Sequence, residues 1–176
     1  MIETLISSKT RIKLLVKFFL NSSTTSYLRG LEEEFNESTN SIRIELNRFE
    51  KAGFLESYSQ SNKKVFKVNV KHPLFKDINS IVLKLVGLDH VIDYVLQRLG
   101  NLEKVYLVGS LSQGKESENI DLVLVGDINH EFLMELIVKA EKKIHKKINY
   151  ISFKETEFKL TDITKLGISP LLLWSK

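Results

Sequence analysis

The sequence predicts an α+β chain built in two parts with a helical stretch between them. Three observations predict it. Apolar residues recur at helical spacing in three short segments before residue 51, and a polar-tipped pair of strand-like runs follows them. Two further helical stripes fill residues 73–100. Beyond them, short continuous apolar runs rich in β-branched residues alternate with one amphipathic helix. The predicted division is 1–72, 73–100 and 101–176.

The elements can be justified in order. Ile12, Leu14, Leu15, Phe18 and Phe19 form an amphipathic helix ending near Asn21, and Asn21–Ser26 reads as a loop. Tyr27, Leu28, Leu31 and Phe35 share the face of a second helix, with Glu32, Glu33 and Glu34 turned to water and a turn at Asn36. Ser38 can cap a third helix, because its hydroxyl can accept from a free first-turn amide. That helix carries Ile42, Leu46 and Phe49 inward and stops at Gly53, a left-handed cap. Phe54-Leu55 and the alternating run from Val65 to Val70 flank the polar segment Ser57–Lys64 and predict a β-hairpin. Pro73 opens a helical stretch striped by Leu74, Ile78, Ile81, Val82 and Leu85. A second stripe, Leu88 to Leu99, ends at Gly100. Val105–Val108, Ile120–Val125 and Ile148–Phe153 are expected strands. A helix lies between Phe132 and Ile144, and another of uncertain extent begins after Glu155, before Leu171–Trp174.

Composition excludes several classes. The 176 residues are 43% hydrophobic and 27% charged, ordinary values for a globular chain, and there is no Cys. A disulfide scaffold, a thiol nucleophile and Cys-based metal sites are thereby ruled out. Nothing approaches the ~20 apolar residues of a membrane span, and no signal-peptide pattern is seen, so no membrane partner and a cytoplasmic location are expected. The net charge of +4 is unevenly placed. Residues 1–71 hold 12 Lys and Arg against 8 Asp and Glu, whereas the remainder holds 14 of each. A basic half points to a polyanion, although it also suits a solvated surface.

Helix, turn, capped helix and hairpin is the order of a winged helix-turn-helix domain. On the third helix Asn40, Arg43, Ile44 and Asn47 fall away from the core stripe. Arg can bond a guanine edge, Asn an adenine, and an aliphatic group a thymine methyl. Thr39 could approach a phosphate, and Lys63 and Lys64 would extend the wing to the backbone. The same groups would also serve as an ordinary solvated surface. Double-stranded DNA, bound by a homodimer, is the expected partner, since the stripes in 74–99 offer more apolar surface than two single helices need.

In the second half, Val105-Tyr106-Leu107-Val108-Gly109-Ser110 runs on to Gly114, and Glu118-Asn119-Ile120-Asp121 opens the next strand. This run resembles the polymerase-beta-type nucleotidyltransferases. The resemblance implies a Gly-Ser turn that holds a nucleotide triphosphate, and two strand carboxylates that bind Mg²⁺ with a third from a later strand. Here Asn119 and Asn149 stand where acids would be, and Asp121 is the only retained one. Mg²⁺ dehydrates reluctantly and needs carboxylates, so no metal and no catalysis are expected. Gly109, Ser110, Gly114, Asn119 and Asp121 remain as a hypothetical nucleotide site.

The order of the parts is similar to a prokaryotic family of regulators in which a winged helix is fused to a minimal nucleotidyltransferase-like domain. Lys9-Thr10-Arg11, Tyr27-Leu28-Arg29, His72-Pro73-Leu74 and Ile148-Asn149-Tyr150 carry that likeness. It implies a DNA-binding transcriptional regulator whose second domain senses or dimerises. The alternatives are an active minimal nucleotidyltransferase that modifies a protein or RNA partner, antitoxin-like, and a pure interaction module. His72, His90, His130 and His145 lack metal-ligand spacing, Ser112 has no evident base, Trp174 reads as a tail anchor, and Lys142, Lys143, Lys146 and Lys147 suit a helix C-terminus.

Overall fold

The computed structural model describes residues 4–165 and 169–176. It is a mixed α+β structure with two sheets, and it divides into two compact units, Met1–Val82 and Leu83–Lys176. Among the described residues no helix is long and apolar enough to cross a membrane.

The first unit opens with α1 (Lys9–Phe19), whose N-terminus is capped by the Ser8 hydroxyl accepting from the Arg11 amide. Leu14, Phe18 and Phe19 are fully buried. The segment expected as a loop ends in a short strand, β1 (Thr25–Tyr27), which leads directly into α2 (Leu28–Phe35). Asn36 closes α2 in the left-handed conformation, which Asn tolerates. Helix α3 (Thr39–Lys51) is capped by Ser38 as its sequence suggested, the hydroxyl accepting from the Ser41 amide. Ile42, Leu46 and Phe49 enter the core, as the spacing required.

Strands β2 (Leu55–Gln60) and β3 (Lys63–Val68) pair in antiparallel register from Leu55↔Val68 to Gln60↔Lys63. The connection is therefore the two residues Ser61 and Asn62. Both have positive φ, 47° and 60°, which matches the twist of a tight hairpin. Lys63 and Lys64 thus open β3 beside the turn instead of forming the tip itself. The sheet order is β1-β3-β2.

One acidic expectation is corrected. Glu34 does not face water: its carboxylate bonds Lys17 Nζ at 2.7 Å, and both side chains are largely buried. A charge taken from water needs a close partner, and these two supply each other.

Helix α4 (Phe75–Val86) opens in the first unit and ends in the second. The stripe read as one helix from Leu88 to Leu99 is broken into a helical turn, α5 (Leu88–His90), a wide π turn (Val91–Val95) and a tight 3₁₀ turn (Leu96–Arg98). Its apolar members Leu88, Val91, Val95, Leu96 and Leu99 are buried all the same.

The second sheet, in the order β6-β5-β4-β7, is mixed. Strands β4 (Leu102–Val108) and β5 (Asn119–Gly126) are antiparallel and flank a short helix, α6 (Gly109–Ser112). Helix α7 (His130–Ile144) then crosses over, so that β6 (Lys147–Phe153) runs parallel to β5. Among the described residues the tail forms a helix, α8 (Leu160–Lys165), and an edge strand, β7 (Leu171–Ser175), paired with β4. Trp174 lies opposite Val105 within that pairing, a strand member where a tail anchor was expected. Tyr106, Val108, Val123, Val125 and Ile163 make the core on one face.

Candidate functional site

The first unit presents a cleft of about 880 Å³ between the start of α2, one flank of α3 and the β2–β3 turn. Arg29 comes from α2, Arg43 and Asn47 from α3, and Ser61, Asn62, Lys63 and Lys64 from the hairpin. Four cationic side chains line it against one carboxylate, Glu33. At 100° per residue Arg43 and Asn47 lie within 40° of each other, on the flank of α3 next to Leu46, which lines the cleft floor. The cleft therefore joins Arg43, Asn47, Lys63 and Lys64 of the sequence-derived set. Asn40 and Ile44 point outward from α3 and do not line it; Ile44 is 43% exposed. Thr39, half-buried, begins the helix.

Neighbouring groups set the lysines. Lys63 Nζ stands 4.1 Å from the centroid of the Tyr27 ring, a cation–π contact from hairpin to the strand before α2. Tyr27 itself covers Gly30, where a Cβ would come to 3.3 Å of the ring. Lys64 Nζ bonds Glu50 Oε2 of α3 at 2.7 Å, and Ser57 Oγ donates to Glu50 Oε1 at 2.5 Å. Hydrogen bonds from Lys64 and Ser57 hold the Glu50 carboxyl below the usual carboxylate range, so the pair stays ionised. Lys64 is thus partly neutralised by its own chain, whereas Lys63, Arg29 and Arg43 make no ion pair among the described residues. Tyr27 and Arg29, which the sequence offered as functional only within the Tyr27-Leu28-Arg29 likeness, and Ser61 and Asn62 were not among the expected site residues. Of these, Tyr27 lies in β1, a strand of three residues too short to read from a pattern, whereas Arg29 belongs to α2 and Ser61 and Asn62 to the hairpin turn.

Behind α3 an ion-pair cluster fixes its position. Arg11 of α1 donates to both Glu45 oxygens, at 2.9 and 3.1 Å, and Arg48 donates to the same carboxylate at 2.9 Å. Burial pushes the Glu45 carboxyl up, but the Arg11 bonds and both guanidinium charges outweigh it and hold it below the usual range. The bidentate geometry restricts α3 against α1.

In the second unit Gly109, Asp121 and Asn149 meet where β4 ends. Val108↔Asp121 and Asp121↔Asn149 are register partners, which places the two side chains on one face of neighbouring strands. Asn149 Nδ2 donates to Asp121 Oδ1 at 2.8 Å. Gly109 has φ +73°, and a Cβ there would lie 2.6 Å from Asp121 Oδ2. Both backbone conformation and space therefore demand glycine. Asn119 lies on the same face two residues earlier, exposed and opposite Lys147. Ser110 is exposed at the start of α6; its carbonyl accepts from the Gln113 and Lys115 amides at 3.1 Å. Gly114 is buried with φ +69°, and its amide donates to Leu111 O. Ser112 is wholly buried, its hydroxyl 2.8 Å from Gly109 O and 2.9 Å from Ser169 O, which makes it a brace for the turn.

This donor set does not fit a divalent cation. One Asp121 oxygen receives an amide N–H, the place a cation would occupy, and the other is pressed against Gly109. Among the described residues no three acidic or imidazole side chains gather as metal ligands.

No family model matches the chain, and no curated protein does. Three solved structures are similar over about half of it. A predicted DNA-binding transcriptional regulator from E. coli is 17% identical, covering 49% of this chain and 84% of that one, with a TM-score of 0.37. A mutant of the MntA-HpeT toxin-antitoxin is 16% identical over 50% and 73%, with a TM-score of 0.40. A candidate nucleotidyltransferase from Sulfolobus solfataricus is 23% identical over 56% and 86%, with a TM-score of 0.36.

Proposed function

We propose that the protein is a DNA-binding transcriptional regulator. In this reading the first unit is a winged helix-turn-helix, α3 is its recognition helix and β2–β3 its wing. The second unit is a nucleotidyltransferase-like domain that has lost catalysis and serves as scaffold or sensor. The observation that carries the reading is the cleft that joins Arg29, Arg43 and Asn47 to Lys63 and Lys64. A helix flank with an Arg and an Asn suits base edges, and Arg29 and the hairpin lysines beside it suit phosphates.

The test is binding to a duplex selected from a random pool. Arg43→Ala should cost roughly 1–3 kcal/mol on the selected site and relax its sequence preference, whereas Lys63→Ala should weaken all duplexes alike. Binding insensitive to both changes sinks the proposal.

A second reading is an active minimal nucleotidyltransferase acting on a protein or RNA, antitoxin-like. It draws on the glycine turn at Gly109, which is still held against Asp121. Labelled nucleoside triphosphates incubated with candidate acceptors decide it: Mg²⁺-dependent incorporation that vanishes in Asp121→Ala would promote the enzyme.

A further inference from the structure

Helix α4 has two apolar faces. Taking Leu74 as zero at 100° per residue, Phe75, Val82 and Val86 fall between 80° and 120°. Val82 and Val86 are buried, and the Phe75 ring stacks on Phe19 at 5.9 Å. Asn79 follows on the same side, its amide donating to the Phe19 carbonyl at 2.6 Å. The second face holds Leu74, Ile78, Ile81 and Leu85, all within a 60° arc. Leu74 belongs to the helix, because its carbonyl accepts from the Ile78 amide at 3.0 Å. Leu74 is 50% and Ile81 47% exposed, and Ile78 and Leu85 are only half-buried.

The spacing of this second face is four, three, four. That is the alternation of a coiled-coil seam, with Leu74 and Ile81 in one class of core position and Ile78 and Leu85 in the other. A single amphipathic helix packed on its own core has no need of it. We propose that this face pairs with the same helix of a second copy of the chain, in antiparallel orientation.

The orientation follows from the charges. In the antiparallel arrangement Leu74 meets the partner's Leu85 and Ile78 meets the partner's Ile81, so every core position finds one of the other class. The stripe is thus complementary to itself about a two-fold axis, as an isologous dimer requires. Asp77 and Lys84 lie seven residues apart on the same flank of the seam, both exposed. Among the described residues neither makes an ion pair. Antiparallel pairing brings Asp77 beside the partner's Lys84, twice per dimer. Parallel pairing sets Asp77 beside the partner's Val82, which is buried in its own chain. Opposite charges at such flanking positions choose partner and orientation.

The pairing is independent of DNA binding, and its test uses the full chain without DNA. Sedimentation equilibrium across the micromolar range should show a monomer–dimer equilibrium. Asp77→Lys sets Lys against Lys and Lys84→Asp sets Asp against Asp, so each should weaken the dimer roughly tenfold. The double variant restores opposite charges in the antiparallel register and should return the wild-type constant. Ile81→Asp should abolish association, while circular dichroism confirms an unchanged fold. A wild-type monomer throughout, or a double swap no better than the singles, overturns the proposal.

Discussion

At Gly109 a single hydrogen atom separates a tolerated turn from a collision. The residue lies at φ +73°, and its Cα faces Asp121 so closely that a methyl group would sit 2.6 Å from Oδ2. Gly109→Ala should therefore destabilise the second unit by about 2–4 kcal/mol, combining the left-handed penalty with the contact. The two causes can be separated. In an Asp121→Ala background the contact is gone and only the backbone penalty of about 1–2 kcal/mol should remain. Equal costs in both backgrounds, measured by urea unfolding, would show that the contact contributes nothing. The same residues show what a sequence discloses. Glycine before serine, and an acid two residues after an amide, were legible as a frame. That Asn149 would cross to Asp121 depends on strand register, which no local pattern carries.

At the scale of elements, α3 is held from behind by the Glu45 cluster. Glu45 titrates below an ordinary carboxyl in the folded chain. Its stabilisation is complete above the unfolded carboxyl value and is lost as pH falls through the lower folded value. Acid unfolding of the native chain should therefore be cooperative below pH ~4, and Glu45→Gln should flatten it while costing about 1–3 kcal/mol at neutral pH. An unchanged acid transition in the variant would remove Glu45 from the account. The helices themselves were easy to read: Ser38 capped α3, and Ile42, Leu46 and Phe49 were inward. The strands β1 and β7 were not. Three residues cannot establish an alternation, and Leu171–Trp174, apolar throughout, reads the same as strand or core tail. Nor did the broken stripe 88–98 reveal its π and 3₁₀ turns, since the buried positions are the ones an unbroken helix would bury.

For the whole molecule the uneven charge becomes a measurable quantity. The basic excess lies in residues 1–71, and there the cleft gathers Arg29, Arg43, Lys63 and Lys64. On a logarithmic plot duplex affinity should fall linearly with salt, with a slope of about −0.9 for each phosphate neutralised. Arg29→Ala should reduce that slope by roughly one phosphate's worth. A flat salt dependence would mean that the cleft meets no polyanion. Strand β1 also has a consequence for how the chain reaches this shape. Its partner β3 arrives only after α2, α3 and β2 have been traversed. Tyr27 must find Val65 across that interval, while α2 begins at the very next residue. Closing so long a loop is slow compared with winding helices or zipping the β2–β3 hairpin. The helices and hairpin can therefore form early, each on local contacts, and the capture of residues 25–27 by β3 is expected later, which φ-values near zero for substitutions at Tyr27 would check. Until it occurs the ring of Tyr27 has no Lys63 to meet, so this wall of the cleft waits on that pairing.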